Sequence, residues 1–198
     1  MFVGRAQPWI YDPNIPRAIP FPRPPLGSEA FVLRRLVPSD YQALKAARDH
    51  FETAPWVNTL SLPDGESLVR FTESKRRAGR ALHLAIADRA DDHLIGEIVL
   101  FARAAEAAET DIGEIAYVVD PAERGRGVAP GAVRLLSEWA FAKLDLKRLQ
   151  LSIHPDNVAS HRVADKAGYQ FEGTLRSVKE IRGDRVDIAV YSRLPSDE

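Results

Sequence analysis

The hydrophobic residues of this 198-residue chain follow two different spacings, which predict strands and helices in turn. The segment Phe31-Val32-Leu33-Arg34-Arg35-Leu36 predicts the first strand of the fold. The pattern Ser39-x-x-Gln42 then predicts a capping box that opens a helix. The apolar face of that helix is formed by Leu44, Ala47 and Phe51. A second and more polar helix is expected over residues 66–77.

From residue 80 onward the spacing is typical of strands. Apolar residues alternate over 82–86, and a second apolar run at 94–101 follows a polar turn. With the strand Ile112 to Val119, these segments predict an antiparallel meander. A helical stripe follows, with apolar residues at 132, 135, 136, 139 and 140. The next strand is expected at 149–153, and a strand–helix–strand crossover of this length implies that it pairs in parallel with 112–119.

The last third of the chain predicts a short helix and a hairpin. Asn157 is placed to cap the helix, and Gly168 ends it. Two closing strands at 169–175 and 186–191 are joined by a turn at Gly183-Asp184. The order of elements predicts an α/β protein of the α+β kind, with a mixed and mostly antiparallel sheet.

Residues 1–28 form a segment of their own, because seven prolines forbid a helix there and disfavour an interior strand. The segment also carries aromatic and aliphatic residues that a freely solvated tail would not be expected to hold. We expect a proline-rich arm over 1–28 that lies on the domain or on a second subunit, and one domain over 29–198. A disordered leader is the alternative.

Composition excludes several classes of function. A net charge of -1, from 27 basic and 28 acidic residues, gives no general attraction to nucleic acid or to acidic membranes. Without cysteine the chain has no disulfide, thiolate metal site or thiol nucleophile, and its five histidines lack metal-binding spacing, so no metal is expected. With no long apolar run and no secretory signal pattern, a cytoplasmic protein is expected.

The segment Arg124-Gly125-Arg126-Gly127 lies between a predicted strand and a predicted helix. Glycines allow a loop whose free N–H groups, with the helix dipole and the two arginine side chains, would bind a phosphate or pyrophosphate. The loop lacks the Lys-Ser/Thr of a P-loop and the third glycine spacing of the dinucleotide fingerprint. A tight turn with two solvated arginines is the alternative.

A third known type of phosphate-binding loop does match this segment. Arg124-x-x-Gly127-x-Ala129 resembles the Arg/Gln-x-x-Gly-x-Gly/Ala signature of the GNAT superfamily of acyl-CoA N-acyltransferases. Further motifs in the same order resemble its RimJ/RimL-type branch: Asn157-x-x-Ser160, Lys166-x-Gly168-Tyr169 and Phe171-x-Gly173-x-Leu175-Arg176. The resemblance runs from about 31 to 194. It implies the GNAT fold, with a central sheet of about seven strands splayed between strands 4 and 5 (112–119 and 149–153) and helices on both faces.

The resemblance also implies an acetyl-CoA site. Its pyrophosphate would lie on the loop, at Arg124, Gly125, Arg126, Gly127, Val128 and Ala129. The backbone of Tyr117, Val118 and Val119 would bind the pantetheine arm and polarise the thioester carbonyl, and Asn157 would bind the same arm. Ala129 replaces a glycine that many relatives carry. Pro130, in the first helical turn, removes an N–H that would be free anyway.

The chemistry implied is direct attack of an amine on the thioester, with a base for the ammonium and an acid for the thiolate. Ser160 is the expected acid, because Ala164 stands where some relatives carry a tyrosine. Glu114 is the first candidate for the base and Glu97 the second, although either could be a solvent-facing strand residue. Ser160 could equally be an exposed serine at a helix start.

The sequence leaves two functions open. The first is an N-acetyltransferase acting on a protein N-terminus, as in ribosomal-protein acetylases, or on a small amine. The second is an acyl-CoA-binding regulatory module with little catalysis. An open groove beside Trp56 would favour a peptide acceptor, and a closed acidic pocket would favour a small amine. A second copy of the chain is a further candidate partner, and no nucleic acid or membrane is expected.

Overall fold

Eight strands form one sheet in the computed structural model, which describes residues 18–57, 61–102, 111–181 and 183–197. They are β1 (Leu26–Gly27), β2 (Phe31–Arg34), β3 (Ala81–Asp88), β4 (Leu94–Ala102), β5 (Ile112–Val119), β6 (Arg148–Ile153), β7 (Gln170–Ile181) and β8 (Asp184–Arg193). Their order across the sheet is β1-β2-β3-β4-β5-β6-β8-β7. Among the described strands, β5 and β6 are the one parallel pair of neighbours. The predicted mixed, mostly antiparallel sheet is confirmed, with one strand more than expected.

Four helices cover the two faces of the sheet: α1 (Tyr41–Asp49), α2 (Gly65–Arg77), α3 (Val128–Leu144) and α4 (Val158–Lys166). Leu44 of α1 and Leu68 of α2 form a buried cluster with Ala85 of β3. The preceding residue of β3, Leu84, points to the other face by strand alternation and belongs to the larger cluster formed with α3 and α4. The sheet is therefore buried on both sides near its centre.

The predicted start of the first helix is wrong in detail. A 3-10 turn over Pro38–Asp40 precedes α1, and the Asp40 carboxylate accepts a hydrogen bond from the Val37 amide at 2.9 Å. Arg34 forms an ion pair with the same carboxylate at 2.8 Å, so Asp40 takes the place of the expected Ser39/Gln42 box. Because α1 ends at Asp49, Phe51 lies beyond the apolar face and is 77% exposed.

The described part of the proline-rich segment, residues 18–28, lies on the domain. Ile19 is buried and exchanges two hydrogen bonds with Arg76 of α2, at 3.0 and 2.7 Å. The guanidinium groups of Arg35 and Arg76 stack on the ring of Phe21, 4.0 and 4.7 Å from its centroid. The arm predicted over residues 1–17 lies outside the described residues, and the domain boundary at 29 stays a prediction.

The sheet separates after three residues of parallel pairing. Ile112, Gly113 and Glu114 of β5 pair with 148–150 of β6, and no pairing of these two strands continues beyond Glu114 among the described residues. Both strands go on, β5 to Val119 and β6 to Ile153, each held by its antiparallel neighbour. This separation is the splay predicted between strands 4 and 5 of the family fold, and it opens a gap in the middle of the sheet.

One glycine sets the distance between β4 and β5 beside that gap. A Cβ atom added to Gly96 would lie 2.1 Å from the backbone oxygen of Val118, which is inside van der Waals contact. Residue 96 therefore must lack a side chain if Val118 is to keep its place.

We expect Gly96→Ala to lower the free energy of unfolding by about 1–3 kcal/mol, because the new methyl group must push the Val118 backbone away. Thermal and urea unfolding measure this change. Gly131→Ala in α3 is the control, since its new Cβ would meet ring atoms of Phe31 at 3.2 Å rather than backbone. Equal unfolding free energies for Gly96→Ala and the wild type would contradict the close approach.

Candidate active site

Two clefts meet where β5 and β6 separate. The first, called here the loop-side cleft, has a volume of about 280 Å³ and runs from the glycine loop to the start of α4. The second, the strand-side cleft, has a similar volume of about 280 Å³ and is lined mainly by β3, β4, β5 and β6. Both are lined by Trp56, Val57, Tyr117, Val118, Asn157 and Ser160. A molecule in one cleft can therefore contact a molecule in the other through the gap in the sheet.

The glycine loop ends in the first turn of α3. Gly125 and Gly127 adopt left-handed backbone conformations, with φ values of 82° and 74°, and Gly127 is the N-cap of the 17-residue helix. No described residue accepts a hydrogen bond from the amides of residues 125–129. These donors and the positive end of the α3 dipole suit an anion of the pyrophosphate type.

The two arginine side chains do not both face this anion site, because Arg126 is not among the residues that line the loop-side cleft. Its guanidinium is bound to Asp88 at 3.0 Å and to Glu123, which directs it away from the cleft lining. Arg124 does line the loop-side cleft, where it binds Glu52 at 3.0 Å and the hydroxyl of Thr53 at 2.8 Å. Nearby carboxylates explain both placements, since each arginine gains a charged partner.

Tyr117 and Ser160 lie together at the junction of the clefts. The Asn157 side chain accepts a hydrogen bond from the Ser160 amide at 3.1 Å, as the predicted cap requires, and so fixes the start of α4. Burial raises the pKa of Tyr117 to about 12, although the nearby Ser160 hydroxyl lowers it in part. Because its pKa is raised, the Tyr117 hydroxyl is neutral at neutral pH. It is buried without a hydrogen bond of normal geometry, so it is available to a ligand.

The two predicted bases occupy different environments. Glu114 belongs to the last parallel pair, accepts a hydrogen bond from Gln150 at 3.3 Å and lines the strand-side cleft. Glu97 is only 2% exposed, and its two oxygens bind His83 Nδ1 at 2.7 Å and Arg48 at 2.5 Å. Burial acts to raise the pKa of Glu97, but the hydrogen bond from His83 and the charge of Arg48 outweigh it, so the pKa is lowered. Such a carboxylate is poorly suited to take a proton from a substrate directly, and its role as second base stays a prediction.

Several residues of the site were missed in the sequence. His83 and Arg48 line the strand-side cleft, and Thr53 and Glu52 line the loop-side cleft. Strand register could have shown one of these relations, because Glu97 pairs with Ala85, two residues from His83 on the same face. The contact of Arg124 with residues 52 and 53 joins segments about 70 residues apart, for which the sequence offers no signal.

One group of potential metal ligands occurs among the described residues. Asp88, Asp91 and His93 gather at the turn between β3 and β4, where Asp91 and His93 are exposed. Asp88 is already bound to Arg126, and Asp91 is bound to His93 at 2.6 Å. These ion pairs account for the clustering of the three side chains. In the described part of the chain, no helix is long and apolar enough to cross a membrane.

Comparison with known proteins gives a consistent result. The acetyltransferase (GNAT) domain family matches residues 30–170. The chain is 37% identical over 132 residues to a probable N-acetyltransferase, YjcK, of Bacillus subtilis, covering 65% of this chain and 72% of the relative.

Solved structures share the fold. The ribosomal-protein-S5-alanine acetyltransferase from Vibrio fischeri superposes with a TM-score of 0.74 at 20% identity, over 87% of this chain and 97% of that one. Mycobacterium smegmatis RimJ in complex with CoA-disulfide gives a TM-score of 0.72 at 22% identity, over 83% and 82%. With the splayed sheet and the glycine loop, these matches lead to one conclusion: the chain belongs to the GNAT acetyltransferase family and is an acyl-CoA-dependent N-acetyltransferase.

Proposed function

We propose that this protein transfers the acetyl group of acetyl-CoA to the α-amine of a peptide or protein N-terminus. The observation that carries the proposal is the meeting of two clefts at Tyr117 and Ser160. The loop-side cleft supplies unpaired amides for a pyrophosphate, and the strand-side cleft approaches the same point from the other face of the sheet. A thioester and an amine can thus be held in contact, which supplies much of the rate enhancement of a bimolecular reaction.

A peptide acceptor is favoured by the space beyond the strand-side cleft. A groove of about 750 Å³ continues from it across β6, β8 and β7, and the two share Glu114, Ser152, Lys179 and Ile188. Such a groove can take several residues of an extended chain, whereas a small amine needs only the 280 Å³ cleft. The S5-alanine acetyltransferase from Vibrio fischeri, with a similar fold, agrees with this choice.

Each predicted residue then has a proposed role. The amides of residues 125–129 bind the pyrophosphate, while Arg124 contributes the one loop guanidinium that lines the cleft. The backbone of Tyr117, Val118 and Val119 and the side chain of Asn157 bind the pantetheine arm. The Ser160 hydroxyl gives its proton to the departing thiolate, and Glu114 attracts the ammonium form of the acceptor.

The acceptor class is tested by release of CoA thiol from acetyl-CoA in the presence of short peptides, polyamines, aminoglycosides and free amino acids. We expect turnover on peptides with a free N-terminus and none on the same peptides after N-terminal blocking. Preferred turnover on a small amine would contradict the peptide assignment. Tight acetyl-CoA binding without turnover on any acceptor would favour the acyl-CoA-binding module instead.

For the acid, Ser160→Ala is expected to lower kcat by about 10²-fold, the lower range for loss of a general acid, with little change in the Kd of acetyl-CoA. Single-turnover kinetics and calorimetry separate the two quantities. Tyr117→Phe is the matched variant, because it removes the other hydroxyl at the junction. Full activity of Ser160→Ala with a large loss in Tyr117→Phe would transfer the acid role to Tyr117.

For the loop, we expect Arg124→Ala to raise the Kd of acetyl-CoA about tenfold, since a charged hydrogen bond is worth roughly 1.5–3 kcal/mol and part of it is screened. Arg126→Ala is the control and should leave the Kd nearly unchanged, because Asp88 and Glu123 hold that side chain away from the cleft. Calorimetric titration measures both. A larger effect from Arg126→Ala would mean that binding reorganises the loop.

A further inference from the structure

The strand-side cleft contains a histidine, His83, to which the proposed function assigns no role. We propose that His83 is the proton acceptor for the incoming amine and that Glu97, held by Arg48, is its positioning residue. This inference rests on the proposed acetyl transfer to an amine. It replaces Glu114 in the role of base and gives Glu97 a role other than direct proton abstraction.

His83 and Glu97 form a pair with a fixed geometry. His83 lies on β3 and Glu97 on β4, and their side chains join at 2.7 Å between Nδ1 and a carboxylate oxygen. The second oxygen of Glu97 binds Arg48 of α1 at 2.5 Å. The imidazole is therefore fixed by a carboxylate that is itself fixed, an arrangement that orients general bases in many enzymes.

Glu97 determines which nitrogen of the His83 ring carries the proton. The pKa of Glu97 is lowered, because its bonds to His83 and Arg48 outweigh its burial, so the carboxylate is ionised and accepts the proton on Nδ1. The Nε2 atom is then the ring nitrogen with a free electron pair. It makes no hydrogen bond to any of the residues that the structure describes.

His83 lies on the face of the sheet that the acceptor would approach. In the strand register His83 is opposite Val99, which is opposite Ala116, so the three side chains form one row on the acceptor face. His83 lines the same cleft as Tyr117 and Ser160, where the proposed acetyl group and amine meet. The rings of Phe71 and Phe101 flank His83 edge-on, with centroids 6.1 and 6.3 Å away, and restrict its rotation.

Glu114 is less suited to the role. A carboxylate is intrinsically a weaker proton acceptor than a neutral imidazole, which ionises near neutral pH. The Glu114 carboxylate already accepts a hydrogen bond from Gln150 at 3.3 Å. A partly exposed carboxylate at the mouth of the acceptor groove is instead placed to attract a cation.

His83 Nε2 takes one proton from the ammonium group, and the ionised Glu97 stabilises the imidazolium that results. The neutral amine then forms the carbon–nitrogen bond, and the tetrahedral intermediate breaks its carbon–sulfur bond. The second proton lost by the nitrogen balances the proton that the thiolate receives through Ser160. The first proton leaves His83 for solvent, so one proton is released per acetamide and CoA thiol formed.

The test compares His83→Ala, His83→Gln and Glu114→Gln with the wild-type protein, on the peptide that the wild type acetylates best. We expect both His83 variants to lose about 10²–10³-fold in kcat, with the Kd of acetyl-CoA within twofold of the wild type. Added imidazole should restore part of the activity of His83→Ala in a saturable way. Glu114→Gln should change mainly KM, by several-fold.

A second measurement reads the imidazole directly. Nitrogen-15 spectra of the wild type should show His83 protonated at Nδ1 at neutral pH, and Glu97→Gln should lose this preference together with kcat. Unchanged turnover in both His83 variants, loss without imidazole rescue, or a wild-type proton on Nε2 would each overturn the role of His83 while leaving the acetyl transfer intact. Absence of wild-type turnover on every amine would overturn the proposed function, and this inference with it.

Discussion

The organisation of the molecule depends on how short the parallel contact between β5 and β6 is. Three residue pairs hold the two halves of the sheet together, and beyond Glu114 each strand keeps only its antiparallel partner. A separated pair of strands would ordinarily leave buried backbone groups without partners, at a cost of a few kcal/mol each. A ligand that lies in the gap and bonds to those groups offsets this cost. The structural weakness of the sheet and its capacity to bind an extended molecule therefore have one origin.

Charge is distributed so that backbone groups, more than side chains, make the anion site. Arg126 is neutralised by two carboxylates and Arg124 by one, while the amides of residues 125–129 stay unpaired at the start of α3. Amides and a helix dipole are fixed in position and do not titrate, so they provide a site of constant strength over a wide pH range. The ion pairs of the arginines, in turn, tie the loop to the residues after α1 and to the end of β3.

Local pattern was sufficient for most of the fold. The strands at 82–101 and 112–119, the helix after the glycine loop and the Asn157 cap all follow from spacing and from turn chemistry. The structure differs from these expectations where a charged residue elsewhere in the chain forms an ion pair. Asp40 displaced the expected capping box because Arg34 is beside it, and Arg126 turned away because Asp88, 38 residues earlier, is its neighbour.

The parts of the site that lie within one short segment could be predicted from the sequence. The parts that come together only in the folded protein could not. The loop and the Asn157–Ser160 pair are contiguous motifs, and resemblance to a family places them. The grouping of His83, Glu97 and Arg48 depends on strand register and on how α1 lies on the sheet, which no short pattern encodes. In the same way, the burial of Glu97 distinguishes it from Glu114, although both looked like polar members of alternating strands.

The position of β8 has a consequence for how the protein is made. β8 follows β7 in the chain but inserts between β6 and β7, so residues 184–193 supply the antiparallel partner of β6. During synthesis, β6 gains this partner only after residues 184–193 have left the ribosome. A nascent chain that still lacks this segment has an open sheet edge at β6. The gap between β5 and β6 therefore takes its final form only after this last strand has been translated.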